Sequence, residues 1–574
     1  MKLLLSFSNI KNLKDFDLVV ANSNVRCKET DFFHINSFKI NEKETSSFYE
    51  KFIDDLSFKI PKLKQISIAC NNNLYTNLLS LFKWKSAVDE IVSSKNISEI
   101  VISDLINHEN YTPYYEAEGE AHFKLLYRDF DFIPIALKKY IEETYPDISI
   151  KIIKKRSVSF LLLRIFFRRH ILLCAKLIVY LFSYMFFSIF FKKDKKVSSA
   201  ENLIITRSVA HYEAIKNLCS KLDNSEIFCG EGLFTIFNNY KATLNSEFNS
   251  KSFFQYLSLS DILKIFFKTF RLLNFCRSKK FQYMGISFSY QSCLKEMVIT
   301  YFEVDVMNKA LKNYLKSQNI KKIFICEMYT PYAFENAKLA RSLNIKSFQL
   351  QTTNMFSTYE PNFIHADLFL FNNKSLAENY EDMYPERKSY VKYLGNFSEI
   401  EPARSKVNQN IKNIMYFTQP KTDEDLEQDI IRELIRIKKN HGFNLYIKLH
   451  PRDSSEKLKD FSKDIYVIDR NQDFEFYKKY ADIAVLKTSS IATKLVFQNI
   501  PVIYCLFSDW ARNGKLEYID HNYSGTISNI EELEHLFQKK EKLFEDFILY
   551  RDQYISNNGL NLGVVNFIKR IREI

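Results

Sequence analysis

Three short stretches in the last third of the chain put polar side chains where an apolar run stops. In NLYIKLHPRD, residues 444–453, the run ends in His450 and Pro451. In YFTQP, Thr418 and Gln419 stand at the same kind of exit. In LKTSS so do Thr488, Ser489 and Ser490, directly before the helical pattern SIATKLVFQN. These groups share one chemistry. An imidazole donates a hydrogen bond or, once protonated, a charge, and hydroxyls and amides bond to phosphate oxygens. Serines that open a helix lie beside unpaired backbone N–H groups, which hold phosphate without glycine, although serine is also an ordinary N-cap residue. Proline fixes the backbone after the histidine. All three exits read as carboxyl ends of strands, where open α/β sheets bind ligands. The set therefore reads as a seat for a nucleotide phosphate that also stabilises it as a leaving group.

KLHP followed by a strand that ends in TSS resembles bacterial GT-B surface-polysaccharide glycosyltransferases. That broad group includes sialyltransferase- and polysialyltransferase-like enzymes, capsule-linker Kdo transferases and teichoic-acid polymerases. The likeness spans roughly residues 200–574 and is best over 410–510. It implies that His450, Ser489 and Ser490 hold the phosphate of a nucleotide-sugar donor. It also implies inverting transfer by direct displacement, with no metal and no cofactor beyond that co-substrate. Such enzymes need a base, a carboxylate that takes the proton of the attacking acceptor hydroxyl. Two glutamates qualify. Glu231 in IFCGEGLF lies between Gly230 and Gly232, where backbone can approach a ligand closely. Gly230 stands where the sialyl-type pattern has a first acid. Glu327 in FICEMYTPY is the alternative, in a stretch similar to the Kdo transferases, and each glutamate has an ordinary structural reading as a turn or helix-end acid. The next strand ends in LQTTN and lacks the histidine of the teichoic polymerases. CMP-linked Kdo or a sialic-type acid is the first expected donor, with a UDP-sugar or CDP-polyol as alternative. A non-catalytic glycan-assembly partner is the rival of another class.

The elements that must position these groups are legible as alternating strands and helices. KLLLSF, FDLVVAN, QISIAC, EIVISD and ISIKIIK predict an N-terminal α/β domain over residues 1–155. NLIITRS, SEIFCGEG, KKIFICEMY, KSFQLQTT and DLFLFN predict a second over 200–400, the acceptor half. NIMYFTQP, NLYIKLHP, DIYVID, DIAVLKTSS and IPVIYC predict a third over 401–574, the donor half. The expected class is α/β of GT-B type: two Rossmann-like domains facing a cleft, an extra N-terminal domain of open role, and a helical insertion. In the N-terminal domain Asp129 and Asp131 have a D-x-D spacing that suits a divalent cation, or is chance. His211 in SVAHYEAI sits at a strand-to-helix junction and reads as packing or capping.

The insertion, residues 156–199, is the exception to the rhythm. From Ile171 to Phe191 it is nearly all apolar, with Arg164, Arg168 and Arg169 before it and Lys192, Lys193, Lys195 and Lys196 after. Charge on both flanks fits a helix lying in an anionic leaflet better than an oriented span, and a buried core helix is the plain alternative. DILKIFFKTFRLLNFCRSKK, basic, aromatic and amphipathic, extends the same surface or, as an equal reading, packs in a core. The net charge of +13 points to anionic partners. No arginine-rich tract or zinc-finger spacing supports nucleic acid. Ten glycines in 574 residues, with no G-x-G-x-x-G and no Walker lysine loop, argue against glycine-built nucleotide sites. Nine scattered cysteines without a C-x-x-C suit a reducing cytosol and disfavour a disulfide framework or zinc site. The N-terminal MKLLLSF reads as a first strand, its apolar run being too short for a signal peptide. The expected setting is cytoplasmic and peripheral, at the inner face of the cell membrane, with a lipid-linked or glycan acceptor.

Overall fold

A computed structural model describes the chain except residues 7–14, 22–30, 35–37, 39–43, 45–46, 49–50, 53, 56–70, 104–131, 154–172, 191–198, 207–208, 230–249, 276–279, 327–330, 353–363, 398–405, 420–423, 451–454, 469–471, 473, 490, 508–518 and 561. The chain divides into two compact units: most of the residues before Phe371, and Phe371–Ile574.

The first unit holds two parallel sheets. One is built from β1 (Lys2–Ser6), β2 (Leu18–Ala21), β3 (Asp31–His34), β4 (Glu99–Ser103) and β5 (Ser149–Ile153), in the order β3-β2-β1-β4-β5. Helices α1 (Asn71–Ser94) and α2 (Phe132–Thr144) belong to this layer. Helix α3 (Leu173–Phe190) follows, and then the second sheet: β6 (Asn202–Thr206), helix α4 (Val209–Lys221), β7 (Ser225–Cys229) and β8 (Ser250–Ser252). After helix α5 (Leu259–Phe275) comes a hairpin, β9 (Lys280–Tyr283) and β10 (Ile286–Ser289). Helix α6 (Tyr290–Ser317), β11 (Lys322–Ile325), helix α7 (Pro331–Ser342), β12 (Lys346–Leu350) and β13 (Leu368–Phe371) follow. Within this unit the strands of the second sheet run β13-β12-β11-β6-β7-β8. Every strand named in the sequence reading of this unit is present except QISIAC, which lies outside the described residues.

Helix α6 explains why both sheets form one unit. Its first turns put Tyr290 and Tyr301 into the core of the first sheet, with Leu5, Val20 and Ile102. Its later turns put Val306, Ala310 and Tyr314 into the core of the second, with Leu203, Phe228 and Ile325. The hairpin adds Phe281 and Ile286 to the first core. Its turn needs positive φ at two residues, and Met284 and Gly285 supply 51° and 71°.

The second unit begins with helix α8 (Lys374–Met383), capped by Asn373, whose side chain accepts from the Leu376 N–H at 2.9 Å. Short β14 (Val391–Tyr393) follows. The third sheet then forms from β15 (Asn413–Phe417), helix α9 (Glu424–His441), β16 (Asn444–Lys448), β17 (Tyr466–Ile468) and helix α10 (Phe474–Tyr480). It continues through β18 (Ile483–Leu486), helix α11 (Ile491–Phe497), β19 (Val502–Cys505) and β20 (Thr526–Ile527). Helices α12 (Glu531–Gln538), α13 (Lys540–Asn557) and α14 (Val564–Glu573) close the chain. Strand order is β17-β16-β15-β18-β19-β20, all parallel. β18 and β19 are buried along their whole length, as apolar strands covered on both faces must be. Helix α14 docks onto the start of the unit: the Asn396 N–H donates to the Leu562 carbonyl, and the Phe397 and Phe567 rings meet edge to face.

Each of the three sheets thus reverses its strand order at its first strand: between β1 and β4, between β6 and β11, and between β15 and β18. At such a reversal the connections diverge to opposite faces and leave a crevice at the carboxyl edge.

Candidate functional site at the third switch point

The phosphate candidates fall on the reversal of the third sheet. β15 ends at Phe417, which pairs with Lys448 of β16 on one side and Leu486 of β18 on the other. Thr418 and Gln419 leave β15 there, Leu449 and His450 leave β16, and Lys487 to Ser489 leave β18.

Hydrogen bonds tie these exits together. The buried Thr418 hydroxyl accepts from the His450 backbone N–H at 2.9 Å, which fixes where the histidine leaves its strand. The Gln419 side chain crosses the reversal: its Nε2 donates to Thr488 Oγ1 at 2.9 Å, and its Oε1 accepts from the Thr488 N–H at 3.2 Å. The Thr488 hydroxyl also lies 3.1 Å from that Oε1. Gln419, His450 and Ser489 are partly exposed, whereas Thr418 and Thr488 are buried beneath them. Ser489 leads into α11, its carbonyl accepting from the Ala492 N–H at 3.1 Å.

A buried ion pair underlies this layer. Glu427 of α9 accepts from the Gln419 N–H at 2.9 Å and from the Tyr416 hydroxyl at 3.2 Å. The same oxygen lies 3.6 Å from Lys487 Nζ, in a pair whose side chains are 3% and 8% exposed. Among the described residues, Lys487 Nζ finds no hydrogen-bond acceptor. Lys448, also buried, lies with its ammonium over the Tyr477 ring. Two cations therefore stand under the carboxyl edge, where an anion would be met. Cys505, fully buried at the end of β19, is held as the thiol: burial pushes its pKa well up, against the nearby Lys487 charge. The amino edge differs. There the Asp482 carboxylate accepts from the Lys412 and Asn413 N–H groups, both at 2.9 Å, and from Asn408, a saturated structural anchor.

Of the residues read from the sequence, Thr418, Gln419, His450 and Thr488 are joined by these bonds, and Ser489 follows directly in the chain. Pro451, Ser490, Glu231, Glu327, Asp129 and Asp131 lie outside the described residues. His211 lies on α4 of the other unit. Among the described residues no group of three or more His, Cys, Asp or Glu is placed to hold a metal ion. Lys487 and Glu427 are additions from the structure. For Glu427 the sequence carries a signal: it occupies the apolar stripe of α9 with Ile430, Ile431 and Leu434, where a lone acid needs a partner.

No protein-family model matches the chain, and no curated protein matches it. Among solved structures it is similar to a UDP-GlcNAc 2-epimerase from Methanocaldococcus jannaschii, at 12% identity over 65% of this chain and 98% of that one, with a TM-score of 0.39. It is also similar to a wall teichoic acid polymerase, at 11% identity over 71% and 96%, with a TM-score of 0.38. A glycosyltransferase from Rickettsia africae matches at 10% identity over 65% and 97%, with a TM-score of 0.38. Likenesses this loose assign no activity, so function is argued from the residues.

Proposed function

We propose that the chain is a GT-B glycosyltransferase that moves a sugar from a nucleotide donor to a lipid-linked or membrane-tethered glycan, at the inner face of the cell membrane. Capsule or lipopolysaccharide assembly is the setting. The observation that carries this reading is the Gln419–Thr488 clasp across the β15/β18 reversal, with His450 pinned beside it by Thr418. A donor phosphate seated at this edge would meet the imidazole, the Ser489 hydroxyl and the Gln419 amide, with the Lys487 charge beneath.

In the proposed reaction the acceptor hydroxyl oxygen attacks the anomeric carbon. The bond from that carbon to the phosphate oxygen breaks, and its electron pair goes to the departing nucleotide, which the donors at this edge stabilise. Configuration inverts, and no metal or cofactor takes part. Glu231 is the proposed base that takes the hydroxyl proton, with Glu327 as alternative. CMP-linked Kdo or a sialic-type acid is the favoured donor, resting on the pairing of the H-P and S-S residues with the G-E-G loop, and a UDP-sugar or CDP-polyol is the second choice.

Incubating the purified protein with a panel of nucleotide sugars and measuring nucleotide release tests this. CMP release from a CMP-sugar supports the first donor, and turnover of only a UDP- or CDP-donor replaces it. The enzyme reading fails if no donor turns over and glycan assembly survives His450→Ala, Glu231→Ala and Glu327→Ala.

A further inference from the structure

Helix α3 is mostly apolar, with Lys176, Ser183 and Ser188 as its polar residues, yet only one side of it is buried. Leu177, Tyr180, Leu181 and Tyr184 recur at helical spacing and enter the core of the second sheet. The opposite face carries Ile178, Val179, Phe182, Phe186, Ile189 and Phe190, with Phe182 63% exposed and Phe190 66%. At about 100° per residue these six spread over an arc of about 120°. An exposed apolar face of this extent marks an interaction site.

Helix α5 packs against α3 and repeats the arrangement. Ile262 and Thr269 are buried, while Leu259, Leu263, Phe267 and Phe270 are exposed within an arc of about 80°. Lys264, Lys268 and Arg271 come next around the helix, beside that arc. Lys264 and Lys268 line an open pocket of about 300 Å³ together with Asp305, Lys309, Lys312 and Glu335. Lys268 is paired with Asp305 at 2.8 Å and Lys309 with Asp261 at 3.3 Å. The order around α5 is therefore core, exposed apolar stripe, basic stripe.

We infer that the exposed faces of α3 and α5 form one docking surface for an anionic lipid bilayer, lying in the plane of the interface with the apolar side chains in the acyl boundary and the lysines at the headgroups. An apolar stripe bordered by lysines is the pattern of an interfacial helix. No helix among the described residues is long and apolar enough to cross a membrane, and the proposed mode is docking on the bilayer surface. Charge selects the occupant. A second copy would bring lysines toward lysines on chains of net charge +13, whereas an anionic leaflet neutralises them. The surface lies in the first unit and stands apart from the nucleotide reading, so either can fail alone.

The test is co-sedimentation of the full chain with vesicles of phosphatidylcholine, alone or with about one third phosphatidylglycerol. The wild type pellets with the anionic vesicles and less with the neutral ones. Phe182→Ser/Phe186→Ser lowers partitioning about tenfold or more on both, and Lys264→Glu/Lys312→Glu removes the preference for phosphatidylglycerol. A thermal melt matched to wild type shows that the exposed substitutions leave the fold intact. Phe182→Trp gives a readout that needs no loss of binding: its emission shifts to the blue when vesicles are added. The inference is overturned if the wild type stays in the supernatant with anionic vesicles, if the Phe variant binds as the wild type does, or if Phe182→Trp emission is unmoved. It is also overturned if light scattering finds a dimer that the Phe variant splits, because a second copy then covers the face.

Discussion

The substitution Glu427→Gln removes one charge and little else. The amide oxygen it introduces still offers an acceptor to the Gln419 N–H and the Tyr416 hydroxyl, which Glu427 now serves at 2.9 and 3.2 Å. What is lost is the counter-charge 3.6 Å from Lys487 Nζ, an ammonium with no hydrogen-bond acceptor among the described residues. Removing one partner of a buried pair costs about 3–5 kcal/mol, because the other charge stays buried alone. We take the low end, about 3 kcal/mol, since the 3.6 Å separation is loose for an ion pair. For a unit of about 200 residues that is a fall of roughly 6–12 °C in the unfolding midpoint. Lys487→Met alone takes the ammonium away from the buried carboxylate and also destabilises. The double variant carries neither charge and is more stable than either single one, with a coupling of about 2 kcal/mol. Thermal and urea unfolding at pH 7 measure all four proteins, and added salt changes the wild type little because the pair is screened from solvent. Additive losses, or a Glu427→Gln midpoint within about 1 °C of wild type, would refute the claim that this pair holds the floor of the site.

Two further predictions concern stability. Gly395 has φ +129°, and a Cβ there would lie 3.0 Å from the Leu562 carbonyl oxygen and 3.2 Å from the Phe567 nitrogen. Gly395→Ala is expected to cost about 2 kcal/mol by loosening α14 from the start of its unit, and a loss under about 0.5 kcal/mol contradicts that packing. His365 stacks edge to face on Phe334, and burial, with the Arg341 charge adding to it, pushes its imidazole down from 6.5 to about 4. The unfolded chain then takes up a proton that the folded chain refuses. The histidine's contribution is therefore intact above its unfolded pKa and is lost as pH falls from 6.5 toward about 4. His365→Phe flattens the midpoint-against-pH curve in that window, and an unchanged slope sinks the assignment.

Strands were the legible part of this fold, because parallel strands covered on both faces must be short continuous apolar runs, as IAVL and VIYC are. Their order was not legible, since it depends on which distant strand each one pairs with. That order is what puts Thr418 and Thr488 on either side of a reversal and turns two loop ends into a clasp. The β9–β10 hairpin is not legible in the sequence because Met284 holds a positive-φ position that Asn, Asp or Gly normally marks. In LKTSS a lysine beside hydroxyls has the sequence pattern of a solvated one, and only the burial of Lys487 with Glu427 shows otherwise. In α3 the nearly continuous apolar run hid its two-sidedness: burial, not sequence, separates the core stripe from the exposed one.

The central claim, a nucleotide phosphate seated at the β15/β18 reversal, is tested most directly by calorimetric titration of CMP, CDP and UDP into the wild type and into His450→Ala and Gln419→Ala. The account predicts that at least one nucleotide binds the wild type and that each variant, still folded at the assay temperature, weakens it about tenfold or more. Binding by none of the three, or equal binding by wild type and both variants, contradicts it.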